Sequence, residues 1–72
     1  MLDNKLKVNK LRIAKRIRDA RKEAGLTQTQ LGSILFIDQS HLSYIEKGKV
    51  SVNCERLVEF ANALNKPILY FF

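Results

Sequence analysis

Basic side chains that could bind an anionic polymer are concentrated in the N-terminal third of the chain. Of the 13 Lys and Arg residues, nine lie in residues 1–24, where only three residues are acidic. The nine are Lys5, Lys7, Lys10, Arg12, Lys15, Arg16, Arg18, Arg21 and Lys22. Contacts between such side chains and phosphates release counterions, so this distribution suits a nucleic-acid partner. The alternative interpretation is a solvated face whose like charges keep the chain soluble.

Residues that could perform catalysis or bind a metal are few. The chain has one cysteine, Cys54, and one histidine, His41, so it can form neither an internal disulfide nor a zinc site from soft ligands. It also lacks a glycine-rich phosphate loop and a nucleophile with both a base and an orienting group. We therefore expect no enzyme activity, no metal, no other cofactor and no small-molecule ligand.

The elements that must position these side chains are predicted to be helices in a single all-α domain of residues 10–72. The predicted helices cover about residues 10–24, 28–35, 39–47, 54–64 and 67–72. Residues 1–9 mix apolar and basic residues without a clean period and are interpreted as a basic N-terminal arm or a frayed extension of the first helix. That arm could follow a DNA groove or pack on a partner subunit.

Several residues mark where these helices begin and end. Thr27 and Gln30 have the spacing of a capping box, and Gly25 and Gly48 suit the left-handed position after a helix. Helical spacing predicts that the core is formed by Ile13, Ile17, Ala20, Ala24, Leu31, Ile34, Leu35, Leu42, Ile45, Leu57, Phe60, Ala61 and Leu64. Cys54 is also predicted to be a core residue.

Two features point to contacts with other molecules. Only Phe36 and Ile37 separate the second and third helices, and so short a connection predicts the steep crossing of a helix-turn-helix unit. The sequence ILYFF at residues 68–72 is too apolar for one helical turn to bury completely, and an exposed apolar patch usually marks a contact.

No stretch is apolar enough to span a membrane, and we expect a cytoplasmic protein.

Three segments together resemble the phage repressor and Cro-like helix-turn-helix domains of the XRE family, which have a five-helix, lambda-repressor-like fold. They are GLTQTQLG at 25–32, HLSYIEKGK at 41–49 and LVEFANAL at 57–64. Each segment alone is weak evidence, but their order and spacing match the family. The resemblance implies that residues 39–47 form the recognition helix, which lies in the major groove of double-stranded DNA.

The resemblance also implies roles for individual residues. The predicted base contacts are Gln39, Ser40, Ser43 and Tyr44. The predicted phosphate contacts are Gln28, His41, Lys47 and Lys49. The alternative without DNA binding is that each set belongs to an exposed polar face, or, for Gln28, that the residue only helps to initiate its helix.

Arg21 lies at the edge of the buried stripe of the first helix, where an unpaired guanidinium would be costly. The family pairs an arginine here with an acidic residue at the position of Glu46, so a structural salt bridge between the two is predicted.

Phe36 departs from the family, which usually has Gly or Asn in a left-handed turn at this position. The departure predicts either a different turn or a longer second helix.

Two functions fit the sequence. The first is a sequence-specific transcriptional regulator, of the repressor or controller type, that binds a palindromic operator as a homodimer. Its predicted dimer interface is the apolar tail, with Leu69, Tyr70, Phe71 and Phe72. The second is a protein-interaction or antitoxin-type module that uses the same apolar surface and has little affinity for DNA.

Overall fold

The computed structural model describes residues 2–72, with side-chain environments from residue 10 onward. The described residues form four α-helices and a closing 3₁₀ helix, which confirms the all-α class. The bounds are α1, Leu2–Glu23; α2, Gln28–Leu35; α3, Gln39–Glu46; α4, Cys54–Leu64; and the 3₁₀ helix, Ile68–Phe71. None of the described helices is long and apolar enough to cross a membrane.

Helix α1 is longer than the sequence predicted. It begins at Leu2, whereas the helix was predicted to begin near residue 10, with residues 1–9 as an arm or as an extension of it. The structure agrees with the extension. The segment before residue 10 contains neither Gly nor Pro and is rich in Leu and Lys, which favour helix. Whether this part contacts DNA or a partner subunit stays a prediction, and its side chains lie outside the described residues.

The core lies where α1, α2, α3, α4 and the 3₁₀ helix meet. Its largest fully buried side chains are those of Phe60, Phe71, Ile17, Leu31, Leu42 and Leu57. Three predicted core residues are instead exposed. Ala24 lies in the turn after α1, Ile34 is 51% exposed on the outer side of α2, and Cys54 begins α4 with its side chain exposed.

Helix α2 begins with the predicted capping box. Thr27 Oγ1 accepts a hydrogen bond from the Gln30 backbone N–H at 3.1 Å, and the Gln30 side chain accepts one from the Thr27 backbone N–H at 2.8 Å. Gly32 of α2 faces the Ile37 carbonyl so closely that a Cβ atom would overlap its oxygen. A glycine at this position thus lets the chain turn directly from α2 into α3.

The turn between α2 and α3 is left-handed at Phe36, with φ 57° and ψ 44°. Both alternatives predicted from this residue are therefore wrong, because α2 ends at Leu35 and the turn keeps the left-handed backbone. The ring is 94% exposed, so its own burial does not stabilise this conformation. The neighbouring Ile37 is buried and its N–H donates to the Gly32 carbonyl at 2.8 Å, which holds the turn in place.

The end of the chain packs back onto α1. Asn65 ends α4 in a left-handed conformation, and Pro67 precedes the 3₁₀ helix. The 3₁₀ helix inserts Phe71 into the core, where the ring is fully buried. The 3₁₀ helix thus packs against α1, the first helix of the described chain. One side of α3 remains exposed to solvent.

Candidate nucleic-acid interface

Helix α3 has one buried side and one polar side. Leu42 and Ile45 are buried in the core. The four residues predicted to contact bases lie on the other side, within about 140° of one another at 100° per residue. Gln39 and Ser40 are exposed, Ser43 is half-buried and Tyr44 is 50% exposed. The fold therefore presents all four on one surface that a partner can reach.

The base of this surface is a buried ion pair between α1 and α3. Arg21 Nε donates to Glu46 Oε2 at 2.7 Å, and Arg21 Nη2 donates to Glu46 Oε1 at 3.0 Å. Arg21 Nη1 donates to the Leu26 carbonyl oxygen at 2.8 Å. The two charged side chains are only 10% and 2% exposed. Bidentate geometry and the extra hydrogen bond offset the cost of burying the two charges, and they fix the end of α3 against α1.

A chain of hydrogen bonds connects this ion pair to the start of α3. Gln28 Nε2 donates to Glu46 Oε1 at 3.1 Å. Gln39 Nε2 donates in turn to Gln28 Oε1 at 2.6 Å. Sequence reasoning placed Gln28 at a phosphate and Gln39 at a base but missed the bond between them. The only sequence signal is that each glutamine begins one of the two helices.

The other predicted phosphate contacts lie at the edges of α3. His41, Lys47 and Lys49 are all exposed. Lys47 and Lys49 flank Gly48, whose φ of +72° ends the turn after α3. His41 lies on the opposite side of the helix from Gln39. No group of three or more potential metal ligands is present among the described residues.

The predicted dimer interface is only partly available for contact. Leu69 is 77% exposed and Phe72 is 51% exposed. Tyr70 is half-buried, with its ring centre 5.0 Å from Arg16 Cζ and 4.8 Å from Lys66 Nζ. Phe71 was wrongly assigned to this interface, because its ring is fully buried in the core of its own chain.

The fold and this polar helix define a class of protein: a small helical domain with a helix-turn-helix pair whose second helix has an exposed polar side. The helix-turn-helix family profile matches residues 17–71, and the chain belongs to that family. The match includes α2, α3, α4 and the 3₁₀ helix, together with the Arg21 end of α1.

Individual relatives agree with this assignment. Two uncharacterised HTH-type transcriptional regulators, from Sinorhizobium medicae strain WSM419 and Rhizobium meliloti strain 1021, are each 35% identical over 74 aligned residues. The match covers all of this chain and 53% of each relative, so the chain spans about half their length. The crystal structure of the restriction-modification controller protein C.AhdI from Aeromonas hydrophila is similar, with a TM-score of 0.82 and 25% identity. That match covers 90% of this chain and 98% of the controller protein.

Proposed function

We propose that this protein is a sequence-specific DNA-binding transcriptional regulator that places α3 in the major groove of its operator. The observation that carries the proposal is the polar outer side of α3, whose first residue, Gln39, donates a hydrogen bond to Gln28, which in turn donates one to Glu46 of the buried Arg21–Glu46 pair. A side chain that is already oriented loses less conformational entropy when it binds a base. Membership of the helix-turn-helix family supports the same proposal.

The hydrogen-bond chain also fixes the direction of the Gln39 amide. A carboxylate only accepts hydrogen bonds, so Gln28 must turn its NH₂ group to Glu46 and its oxygen to Gln39. One N–H of Gln39 is then used within the protein, and the other N–H and the oxygen remain for a base. Adenine offers one acceptor, N7, and one donor, N6–H, whereas guanine offers two acceptors. Gln39 therefore suits adenine and disfavours guanine.

Further contacts fix the position of the domain on the duplex. Ser40, Ser43 and Tyr44 contact neighbouring base edges. Phosphates on either side of the groove are contacted by Gln28, His41, Lys47 and Lys49. Gln28 takes part in both roles, since its amide retains a second N–H beyond the one bonded to Glu46.

A single α3 reads only a few base pairs, and we infer that two copies bind a palindromic operator. Two recognition helices related by a dyad read half-sites about 34 Å apart. The exposed side chains of Leu69 and Phe72 supply the dimer contact, with Tyr70 at its edge. The same exposure favours a second candidate, a protein-interaction or antitoxin-type module with little affinity for DNA.

Selection of binding sites from a random pool of duplex DNA tests the proposal. We expect enriched sites with dyad symmetry and an adenine at a fixed position in each half-site. A pool that shows no enrichment, together with no binding at low salt, would favour the protein-interaction module instead.

The variant Gln28→Met tests how Gln39 is positioned. Methionine keeps the length of the side chain but cannot bond to Glu46 or Gln39, so both N–H groups of Gln39 become free to bind guanine. We expect the preference for adenine over guanine to fall severalfold. Thr29→Ala is the matched control, because Thr29 is exposed in the same turn of α2 and has no part in the hydrogen-bond chain. An unchanged base preference in Gln28→Met would contradict the orientation argument.

A further inference from the structure

The basic side chains of α1 divide between two edges of the helix. On one edge, Arg12 Nη1 donates to the Phe72 carbonyl oxygen at 2.9 Å, and Arg16 lies over the Tyr70 ring. These cations attach the 3₁₀ helix to α1. Arg18 and Lys22, on the other edge, are exposed and form neither an ion pair nor a side-chain hydrogen bond with any of residues 10–72. Their charge is therefore free for a partner.

This second edge lies beside the end of α3. A Cβ atom placed on Gly48 would be 3.6 Å from the Leu11 Cα atom, and Arg21 bonds to Glu46. Arg18 falls between Leu11 and Arg21 along the axis of α1. At 100° per residue it also falls between them around that axis, with Lys22 within about 40° of Arg18. The edge that carries Arg18 and Lys22 therefore follows the end of the recognition helix.

The start of α2 borders the same edge. The Gly25 N–H donates to the Lys22 carbonyl at 3.0 Å, and Gln28 bonds to Glu46. The first backbone N–H groups of α2 and the positive end of its dipole favour an anion there. We use the name α1–α3 edge for the surface formed by Arg18, Lys22, Gln28, Lys47 and Lys49.

Acidic side chains leave the positive charge of the α1–α3 edge largely uncompensated. Glu46 is buried and already neutralised by Arg21. Asp19 pairs with Lys15 at 3.1 Å, and Glu23 pairs with Lys66 at 2.9 Å. Asp38 lies at the opposite end of α3, before its first residue. The four exposed cations of the edge thus act together on the solvent in front of them.

We propose that the α1–α3 edge binds the sugar-phosphate backbone of duplex DNA beside the groove that α3 enters, with Arg18 and Lys22 as additional phosphate contacts. The inference rests on the proposed function and extends the interface from the helix-turn-helix to α1. It also gives a role to part of the positive charge that the sequence concentrates before residue 25. Such contacts add affinity for any sequence and hold the domain in register, but they carry no base preference.

The test is the salt dependence of binding to a random-sequence duplex, with the double variant Arg18→Gln/Lys22→Gln. The slope of log K against log salt concentration is negative, and each lost phosphate contact reduces its magnitude by about 0.9. We therefore expect the magnitude to fall by about 1.8 in the double variant. At about 0.1 M salt this corresponds to a loss of roughly 60-fold in affinity, equal for random and selected sites. The base preference should not change.

Two further variants separate phosphate contact from other causes. Arg12→Gln/Arg16→Gln removes the same charge from the opposite edge of α1. At a concentration where sedimentation shows the same oligomeric state as the parent protein, it should leave the slope near that of the parent. Arg18→Lys/Lys22→Arg keeps the charge and should retain the slope. Thermal unfolding of each variant shows whether the fold is intact.

Three outcomes would contradict the proposed phosphate contacts. Equal decreases in slope for the two neutralised pairs would mean that only net charge matters, and this would overturn the proposal. An unchanged slope in Arg18→Gln/Lys22→Gln, with tight binding retained, would also overturn it while leaving the proposed function intact. Failure of the parent protein to bind any duplex at low salt would overturn both.

Discussion

Replacing Phe36 with glycine should make the protein more stable, although the change removes an aromatic ring. Phe36 has φ 57° and ψ 44°, a conformation that costs an L-residue about 1–2 kcal/mol and glycine almost nothing. The ring is 94% exposed, so its removal sacrifices little apolar burial. Against this gain, the unfolded chain with glycine has more conformational entropy, worth about 0.5–1 kcal/mol. The net effect on the free energy of unfolding is a gain of about 0.5–1 kcal/mol.

Thermal unfolding followed by circular dichroism, at a fixed protein concentration, measures this effect. For a domain of this size, 1 kcal/mol shifts the Tm by about 4–8 °C, so we expect Phe36→Gly to raise it by roughly 2–8 °C. Phe36→Ala is the matched control, because it removes the ring but keeps a Cβ atom at a positive φ.

Two results would refute this reasoning. A lower Tm for Phe36→Gly would mean that the ring stabilises the folded state. An equal gain in Phe36→Ala would mean that exposure of the ring, and not the backbone conformation, is the source of the cost. Asn65→Gly gives a second comparison, since Asn65 has nearly the same φ of 56° but is a residue that tolerates it; its gain should be smaller.

Three other substitutions test the remaining parts of the structure. Glu46→Ala strands the buried Arg21 charge and should lower the free energy of unfolding by about 3–5 kcal/mol in urea titrations; an unchanged midpoint would contradict the buried pair. Gly32→Ala places a Cβ atom against the Ile37 carbonyl and should cost about 1–3 kcal/mol, and full stability would show that the turn can shift. Leu69→Ser/Phe72→Ser should convert a dimer to folded monomers in sedimentation experiments, and a dimer that persists would exclude this interface.

The sequence was sufficient to predict the backbone wherever the chemistry of one residue decides it. Thr27 and Gln30 can complete their capping box without any help from the tertiary fold, so their spacing identified the start of α2. Gly25 and Gly48 have positive φ for an equally local reason. The start of α1 was not predictable in this way, because no capping residue or breaker marks it.

The direction of side chains was less predictable because it depends on how helices dock. The tail ILYFF contains five apolar residues in succession, and helical periodicity cannot select one of them for burial. Burial of Phe71 and exposure of Leu69 follow from how the 3₁₀ helix lies on α1 and α4. For the same reason Ile34, on a short helix, was assigned to the wrong side.

In the candidate site too, features set by a single helix were predictable, and features set by the packing of two helices were not. The order of residues on α3 follows from its helical period, so the polar surface was predictable. The bond from Gln39 to Gln28 was not, because it joins two side chains whose distance depends on the crossing of α2 and α3. The turn at Phe36 was predicted wrongly because the family preference for Gly or Asn reflects only which residues have the least strain in a left-handed conformation. The buried Ile37 and its hydrogen bond impose the turn whichever residue precedes them.

The burial of Phe71 has a consequence for how this protein folds during its synthesis. The ring fills the core against helices that the ribosome completes much earlier, so the core stays open until residue 71 has left the exit tunnel. Closing a loop of more than 50 residues between α1 and Phe71 costs entropy, which only the finished core repays. Until then the apolar sides of α1, α2 and α4 face solvent together, so a chain that is interrupted before Phe71 can pack exposes an apolar surface that favours aggregation.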